Sequence, residues 1–340
     1  MAHPTCISPE NVGMGQLPIQ IPVRPDSVIG LHHPTAFILV GATATGKSAV
    51  AQILAERRGA AVVSADSMLV YRGMDIGTAK PSAAERGAVP YYGLDLVDPS
   101  ESYSAGAWVR AVAPAFRAPA AGVPIVVGGT GLYIRALLSG LDVPAADSET
   151  RARWQGVLEA EGVPGLQRAV IARDPRALDH LADPLNPRRL IRALERLDAG
   201  GGAVGESARR GPAPLIVGLR VPRPVLHRRI RERAERMFDN GLAEEVRALR
   251  ARFPVWSETA RAAIGYAEAA AWLDGEMTRA DAIERTVIRT RQLAKRQETW
   301  FRHQTSVVWV DTTGSESAAT LADRVTEQWE EHGAATLRGL

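Results

Sequence analysis

The sequence predicts an α/β fold in which a P-loop parallel sheet is flanked by helices and carries a helical insertion domain. Three observations predict it. Short continuous apolar runs alternate with longer helix-forming stretches in the first half of the chain, which is typical of parallel strands covered on both faces. A glycine-rich sequence of the phosphate-binding type follows the first run. Residues 145–205 then interrupt this rhythm, because they are rich in Arg, Ala, Leu and Glu and contain no strand-like run.

Apolar runs that end at Gly, Pro, Asp or other turn residues are predicted as strands. In chain order they are Ala36–Val40, Ala61–Ser64, Gly93–Val97, Ile125–Val127, Leu215–Leu219 and Ser306–Val310. Between them, Lys47–Arg57 and Ala105–Phe116 are predicted as helices. Residues 222–302 are predicted as a long, mostly helical segment that carries many arginines.

These elements predict five parts of the chain. Residues 1–34 are rich in Pro and Gly and are interpreted as a flexible leader, or as the product of an upstream start codon with Met14 as the alternative. The remaining parts are the first section of the core (35–144), the insertion (145–205), the core completion with its basic helical segment (206–313) and a C-terminal helix and tail (314–340).

The charge distribution leaves two interpretations open. The 340 residues, 46% of them apolar, suffice for a large core and a smaller second module, and the net charge is only +3. Basic side chains, nearly all arginine, are in surplus over residues 220–302, whereas 303–340 are acidic. Arginine binds phosphate well, so the surplus indicates either a polyanionic partner or a chain that simply uses arginine on solvated helix faces.

Cysteine usage and hydropathy limit the protein class. Cys6 is the single cysteine, so an intramolecular disulfide is excluded, and no Cys/His cluster has zinc-ligand spacing. No apolar run approaches the roughly 20 residues that a membrane-spanning helix needs. We therefore expect a cytoplasmic protein with no membrane partner.

The strongest local signal is a match to G-x-x-x-x-G-K-[ST] between an apolar run and a helix-forming segment. Glycines let the backbone wrap a phosphate, and the helix N-terminus directs N–H groups at the anion. The lysine adds a positive charge, and the final hydroxyl is suited to Mg²⁺. The motif predicts a diphosphate or triphosphate site, without specifying ATP, at Gly41, Ala42, Thr43, Ala44, Thr45, Gly46, Lys47 and Ser48.

The acidic residue that a P-loop kinase or ATPase places after a second apolar strand is not evident. Asp98 ends the run Leu94–Asp98, but it precedes Pro99 and is better interpreted as the start of a turn. The run Ile125–Val127 continues instead into Gly128-Gly129-Thr130-Gly131. Such a turn indicates close backbone approach to a ligand and is unlike that of a hydrolase.

Three further segments, in order behind the P-loop, resemble the tRNA dimethylallyltransferase family in its bacterial form. The resemblance spans about residues 36–310, and its most specific part is the run Gly73–Pro81. The segments are Ser64–Ser67 with Tyr71–Pro81, then Val127–Ile134, and finally Thr290–Gln297 followed by Trp300-Phe301-Arg302.

The resemblance implies a reaction and a set of site residues. The family transfers a dimethylallyl group from dimethylallyl diphosphate to the adenine 3′ of the anticodon, position 37, in tRNA. It implies that Thr43–Ser48 hold the diphosphate with Mg²⁺ at Ser48, that Asp66 is the general base, that Thr130 lies beside the reacting groups and that Arg233 contacts the diphosphate.

The resemblance also implies contacts with the anticodon stem-loop of tRNA, which the insertion would grip. These contacts map to Asp66, Ser67, Met68, Leu69, Thr130, Arg151, Arg188, Arg189, Leu190, Ile191, Arg192 and the stretch around Ala262–Ala267.

The chain departs from the family pattern at a few positions. Ala42 stands where Pro is common, and Ser48 where Thr is frequent. Both are compatible with the loop because its function depends on the backbone and on one hydroxyl group. Ala267 stands where a basic residue is usual, which weakens the case for that tRNA contact. The Cys/His zinc module of many eukaryotic members does not follow residue 303.

Other interpretations of the same residues remain open. Asp66 is alternatively interpreted as a turn or cap residue without a catalytic role, and Thr130 as a turn residue. Helical spacing puts Arg229, Arg233 and Arg236 on one face. The rival functions are a small-molecule P-loop kinase and a non-catalytic, nucleotide-gated RNA-binding protein. The resemblance favours a monomer.

Overall fold

The structure is a computed structural model, and it describes residues 33–117, 122–140, 148–181, 183–200 and 214–340. Its centre is a seven-stranded sheet with the order β3-β2-β4-β1-β5-β6, with β7 paired to β1. The strands are β1 (Thr35–Gly41), β2 (Ala60–Ala65), β3 (Tyr91–Tyr92), β4 (Gly122–Gly128), β5 (Leu215–Arg220), β6 (Ser306–Asp311) and β7 (Ala335–Thr336).

Parallel pairing explains why these strands are almost wholly apolar. All neighbours on the main path pair parallel, so helices cover both faces and no face remains for polar residues. Every residue of β2 is buried, and the central strand β1 is buried over most of its length. The carboxyl ends of β1, β2 and β4 meet at one edge, where Val40 and Ala65 are each paired with Gly128.

Twelve α-helices are present in the described residues. They are α1 (Lys47–Arg58), α2 (Ala83–Arg86), α3 (Ala105–Val112), α4 (Gly131–Ser139), α5 (Ser148–Arg173), α6 (Pro187–Asp198), α7 (Arg223–Asp239), α8 (Leu242–Arg252), α9 (Glu258–Arg261), α10 (Tyr266–Leu273), α11 (Arg279–Gln304) and α12 (Ala318–His332). Helix α5 is interrupted at Gly162, whose φ of 65° is not helical. None of the helices in the described ranges is long and apolar enough to cross a membrane.

The predicted strand Gly93–Val97 is wrong. The chain forms β3 two residues earlier, at Tyr91–Tyr92, and Val97 makes only an isolated bridge to Tyr71. The reason lies in the backbone, because Gly93 and Asp95 have φ of 85° and 52°, in the left-handed region that a strand excludes. The predicted helix Ala105–Phe116 is α-helical only to Val112 and ends as a 3₁₀ turn.

Residues 148–200, which lie within the predicted insertion, form a helical bundle with its own hydrophobic core. Helices α5 and α6 pack on each other, and the buried side chains between them include those of Trp154, Leu166, Val170, Leu190 and Leu194. The predicted ends of this insertion fall in 141–147 and 201–213, outside the described residues. The predicted leader also falls outside them, apart from its last two residues.

The C-terminal segment adds a strand that the sequence analysis did not include. After α12, Ala335–Thr336 pairs antiparallel with Thr35-Ala36 at the start of β1. Trp329 of α12 stacks on Phe37, with ring centroids 4.8 Å apart. The tail therefore closes over the amino end of the central strand.

Candidate active site

The P-loop runs from the end of β1 into the first turn of α1. Gly41, Ala44 and Gly46 have φ of 153°, 65° and 91°, so the loop repeatedly uses backbone conformations that side chains disfavour. The Thr45 hydroxyl donates to the Ala42 carbonyl at 3.0 Å, which closes the curl. The loop thus has the shape that directs successive N–H groups inward, as an anion site requires.

Lys47 is held inside this curl. Its Nζ donates to the Ala42 carbonyl at 3.1 Å. Burial lowers the pKa of Lys47 to about 8; Asp66 opposes this shift and Arg233 adds to it. Among the described residues no carboxylate forms an ion pair with Lys47, so its charge is suited to receive an anion.

Arg233 of α7 contacts the same loop. Its Nη1 donates to the Thr43 hydroxyl at 3.1 Å and its Nη2 to the Thr78 carbonyl at 3.0 Å. Burial lowers the pKa of Arg233, and the Asp66 charge opposes this shift. Lys47, Arg233 and Asp66 therefore form one electrostatic group, in which the two cations are only partly compensated.

The other two arginines on this face of α7 have different positions. Arg229 donates to the Gly314 carbonyl at 2.8 Å and to the Thr45 carbonyl at 3.5 Å, so it supports the P-loop from behind. Arg236 is exposed. The helical spacing correctly grouped the three residues, but only Arg233 lines the cavity.

Asp66 and Thr130 meet at the carboxyl ends of β2 and β4. The Thr130 hydroxyl oxygen accepts from the Ser67 amide at 3.0 Å, and the Thr130 amide donates to the Ala65 carbonyl at 3.1 Å. Asp66 Oδ1 accepts from the Met68 amide at 2.9 Å, which is the turn contact that the alternative interpretation expects. Within the part of the chain that the structure describes, Oδ2 of Asp66 has no hydrogen-bond partner, so half of the carboxylate is available to a ligand.

A cavity of about 460 Å³ joins these groups. Of the residues expected at the site, it brings together Thr43, Asp66, Ser67, Met68, Thr130 and Arg233. It does not include Leu69 or the other predicted residues of the P-loop, which are Gly41, Ala42, Ala44, Thr45, Gly46, Lys47 and Ser48. Helix α7 contributes an apolar wall to it, and α11 contributes mostly polar side chains. The remaining lining residues are Gly77, Thr78, Ile230, Ala234, Met237, Ala262, Ala263, Ile264, Thr286, Arg289, Thr290, Gln292, Leu293, Arg296 and Gln297.

The run Gly73–Pro81 lines this cavity with Gly77 and Thr78 and is held in place by α8 and α10. Glu245 of α8 accepts from the Asp75 and Ile76 amides at 3.1 and 2.8 Å, and from the Tyr266 hydroxyl at 2.5 Å. A Cβ on Gly77 would overlap the Tyr266 ring. These contacts fix the Thr78 carbonyl that Arg233 uses.

The buried lysine of this run is held by several oxygens. Lys80 Nζ, in a side chain only 5% exposed, lies 2.5 Å from Asp95, 2.7 Å from Asp75 and 2.7 Å from the Tyr71 carbonyl. Contacts within the fold therefore explain why Lys80 and Asp75 occur in the run Gly73–Pro81.

Helix α11 contributes two residues whose roles the sequence analysis missed. Gln297 bridges the Thr43 amide and the Gly129 carbonyl at 2.8 and 3.1 Å. Arg289 is paired with Glu268, a carboxylate that is only 1% exposed, and donates to the Ala262 carbonyl at 3.2 Å. A Glu within the apolar stretch Ala267–Leu273 was the available signal for a buried ion pair.

The expected tRNA contacts on the insertion lie apart from the cavity. Arg151 and Arg192 pair with Glu195 at 2.8 and 2.6 Å. Arg188 pairs with Glu258 on α9, and Arg189 is exposed.

Leu190 and Ile191 require a correction. Their side chains are 0% and 7% exposed because they face the core of the bundle, so direct contact of these side chains with RNA is not supported.

Asp98 lies in the turn that the sequence analysis favoured. Its amide donates to Glu101 at 2.8 Å, and its carboxylate pairs with Arg72 at 3.1 Å. Asp98 does not line the cavity.

The donor set is compatible with Mg²⁺ only as a partner of a bound phosphate. The described residues contain no group of three or more His, Cys, Asp or Glu side chains that could form a metal site. Ser48 lies exposed in the first turn of α1. Because Mg²⁺ is often held by one or two protein oxygens, phosphate oxygens and water, a hydroxyl at this position fits such an ion.

Comparison with protein-family models gives two adjoining matches. Residues 69–304 match the family described as IPP transferase, and residues 34–89 match that described as isopentenyl transferase. The chain is 41% identical over 293 residues to the tRNA dimethylallyltransferase of Rhodococcus jostii, covering 84% of this chain and 94% of that protein.

Solved structures similar to this one include a bacterial and a eukaryotic enzyme. The full-length tRNA isopentenylpyrophosphate transferase of Bacillus halodurans has a TM-score of 0.59 and 33% identity, over 88% of this chain and 98% of the other. A eukaryotic dimethylallyltransferase acting on tRNA has a TM-score of 0.70 over 88% and 76%, but at 24% identity it supports the fold alone.

Proposed function

The chain belongs to the tRNA dimethylallyltransferase family, and from that premise we propose that it moves the dimethylallyl group of dimethylallyl diphosphate to the N6 amine of adenine 37 in tRNA. The products are N6-dimethylallyladenosine in the tRNA and diphosphate. The observation that carries this proposal is a cavity lined by Thr43 of the P-loop, by Arg233 and by Asp66, a carboxylate with one unpaired oxygen. The charges of Arg233 and Asp66 both act on the buried Lys47 of the same loop.

The phosphate end of the donor belongs at the P-loop. The loop amides, Lys47 and Arg233 compensate its charge, and their contribution grows as the diphosphate departs and its charge increases. The prenyl chain then lies against the apolar wall of α7, where Ile230, Ala234 and Met237 are each at most 8% exposed.

The acceptor amine needs a base beside it. Its lone pair forms the new bond to C1 of the dimethylallyl group while the C1–O bond breaks, and the diphosphate leaves with that electron pair. Asp66 takes the proton that N6 releases, for which its Oδ2 is available. Thr130 holds the Ser67 amide and keeps the turn that carries Asp66 in place.

Mg²⁺ is part of the proposal. The Ser48 hydroxyl would help to hold the ion, which would supply positive charge against the diphosphate. Removing the ion with a chelator should therefore weaken the use of dimethylallyl diphosphate.

The base must enter the cavity unpaired. A stacked and paired adenine does not expose its amine to a pocket, so the target is a loop base turned out of its stack. The polar α11 side of the cavity, with Arg289, Gln292 and Arg296, is the proposed entrance. A second groove on the same helix, lined by Lys295, Arg296, Trp300 and His303 among others, extends it with charge and an aromatic ring.

The rest of the tRNA contact is proposed on the insertion. Arg151, Arg188, Arg189 and Arg192 give this bundle a basic surface for the phosphates of the anticodon stem-loop. We further propose a monomer that acts in the cytoplasm, where its tRNA substrate is made.

Transfer of labelled dimethylallyl from its diphosphate to unmodified tRNA, with Mg²⁺, tests the proposal. Asp66→Asn is the matched variant, because the amide oxygen still accepts from the Met68 amide while the base is lost. We expect label at adenine 37 with the wild type and a fall in kcat on the order of 10² or more for Asp66→Asn. Absence of transfer to any tRNA, together with phosphorylation of a small molecule by ATP, would instead identify a kinase.

A further inference from the structure

Gln297 connects the two loops that carry the chemistry of the cavity. Its Oε1 accepts from the amide of Thr43 in the P-loop at 2.8 Å, and its Nε2 donates to the carbonyl of Gly129, beside Thr130, at 3.1 Å. The P-loop extends from β1 and the Gly128–Gly131 turn from β4, so one side chain on α11 spans the ends of two neighbouring strands.

The close packing of α11 on the turn fixes this bridge. A Cβ on Gly129 would overlap the amide of Gln297 and lie 3.3 Å from the Gly41 carbonyl. A Cβ on Gly131 would overlap the Trp300 ring one turn further along α11. Both positions therefore require glycine, because α11 packs directly on the backbone of the turn. This close packing determines how near Gln297 lies to the two loops.

The chemistry of the side chain matches this position. The two groups that it meets are an N–H donor and a C=O acceptor, and an uncharged carboxamide supplies one acceptor and one donor on the same carbon. Thr43 is in turn held through its hydroxyl by Arg233 at 3.1 Å. Gln297 and Arg233 thus hold the third residue of the P-loop from two sides.

We propose that Gln297 is a positioning residue. It fixes the P-loop relative to the turns that carry Asp66 and Thr130, so that C1 of the dimethylallyl group lies at reacting distance from the N6 amine of the adenine. This inference rests on the proposed function. Gln297 acts through Thr43 and Gly129 and takes no proton, so its contribution is to the alignment of donor and acceptor. Alignment errors of about 1 Å cost on the order of 10² in rate.

The first test replaces Gln297 with Met, which has a similar length and no amide, and measures kcat, the KM for dimethylallyl diphosphate and the Kd for tRNA. We expect kcat to fall about 10- to 100-fold while the KM and the Kd change less than about threefold. Gln328→Met on α12 is the matched control and should behave as the wild type. An unchanged kcat, or a raised Kd with kcat intact, would overturn the proposal, the latter by making Gln297 a tRNA contact.

The second test uses Gln297→Glu, which keeps the shape of the side chain. As a carboxylate it accepts from the Thr43 amide but has no proton for the Gly129 carbonyl; as a neutral acid it has both groups again. The ratio of variant to wild-type kcat should therefore rise as the pH falls. A ratio that stays constant across pH contradicts the bridge even where Gln297→Met folds poorly.

The two proposals fail in different ways. A wild-type protein that transfers no prenyl group to tRNA defeats the proposed function. A wild type that transfers it, with a Gln297→Met variant of equal kcat, defeats the positioning role alone.

Discussion

Lys47 is a positively charged residue whose pKa burial lowers and the Asp66 charge raises. Its pKa is lowered to about 8 by burial, and the ligand that would compensate its charge is an anion. We expect kcat/KM for dimethylallyl diphosphate to fall as the pH rises through about 8, because the free enzyme then loses the proton of Lys47. A pH profile of kcat/KM measures this, and Lys47→Met should lack the step at about 8.

The same pKa shift has a consequence for stability. The pKa of Lys47 is lower in the folded protein than the ordinary lysine value of 10.5, so between about 8 and 10.5 the unfolded chain binds more protons. The contribution of this group to stability therefore rises with pH over that window, and below about 8 the buried charge is unfavourable. We expect the thermal unfolding midpoint of substrate-free Lys47→Met at pH 7 to equal or exceed that of the wild type, while activity is lost.

Substitutions of Thr130 can distinguish the role of its hydroxyl group from that of its side-chain shape. Its side chain does not cap α4, although it is the N-cap residue, and instead accepts from the Ser67 amide. Thr130→Val keeps the shape but leaves that amide unpaired, which costs roughly 1–3 kcal/mol of stability and disturbs the Asp66 turn. We expect kcat to fall for Thr130→Val and to be largely kept by Thr130→Ser, and equal rates for both would contradict a role for the hydroxyl.

At the scale of the element, the run Gly73–Pro81 works as a support for Arg233. Gly77→Ala would press on Tyr266, move the Thr78 carbonyl and cost about 1–3 kcal/mol through overpacking. We expect a lower unfolding midpoint and a higher KM for dimethylallyl diphosphate. Gly156→Ala on α5 is the control, since a Cβ there meets open space and favours the helix. A Gly77→Ala protein with the wild-type KM would separate the run from the phosphate site.

The strands that were predicted correctly are apolar along their centres, although only β2 is buried over its whole length and β6 is buried only at Val310. Strands β1, β2, β4, β5 and β6 are continuous apolar runs because helices cover both faces of the sheet, and that pattern is local in sequence. Gly93–Val97 has a similar composition but contains two residues with positive φ, which composition does not reveal. Strand β7 has only two residues and exists through its pairing with β1, so no local pattern indicates it.

At the scale of the whole molecule, the site residues also divide into those indicated by a local sequence pattern and those that only the tertiary fold brings together. The P-loop is a local sequence whose geometry could be predicted, and the resemblance supplied Asp66, Thr130 and Arg233. Gln297 was missed because its partners are 168 and 254 positions away, and only the folded sheet brings them together. Leu190 and Ile191 were assigned to tRNA as part of a run, whereas helical periodicity turns them into the bundle core.

Contact between the insertion and the rest of the chain gives a final prediction. Arg188 of α6 and Glu258 of α9 form an ion pair with side chains 66% and 70% exposed, so the pair contributes only about 0–1 kcal/mol to stability. A tRNA phosphate can therefore compete with Glu258 for Arg188 at little cost. We expect Glu258→Gln to tighten tRNA binding, and Arg188→Gln to weaken it and to reduce the slope of log K against log salt by about 1.

Binding of tRNA measured over a series of salt concentrations distinguishes this exchange from a purely structural pair. Arg57→Gln is the matched control, because Arg57 is also exposed and paired, with Asp323 of α12 on another part of the molecule. It should leave the slope unchanged. If Arg188→Gln and Arg57→Gln give the same slope, Arg188 does not bind phosphate. Its contact with Glu258 would then serve only to attach the insertion to the core.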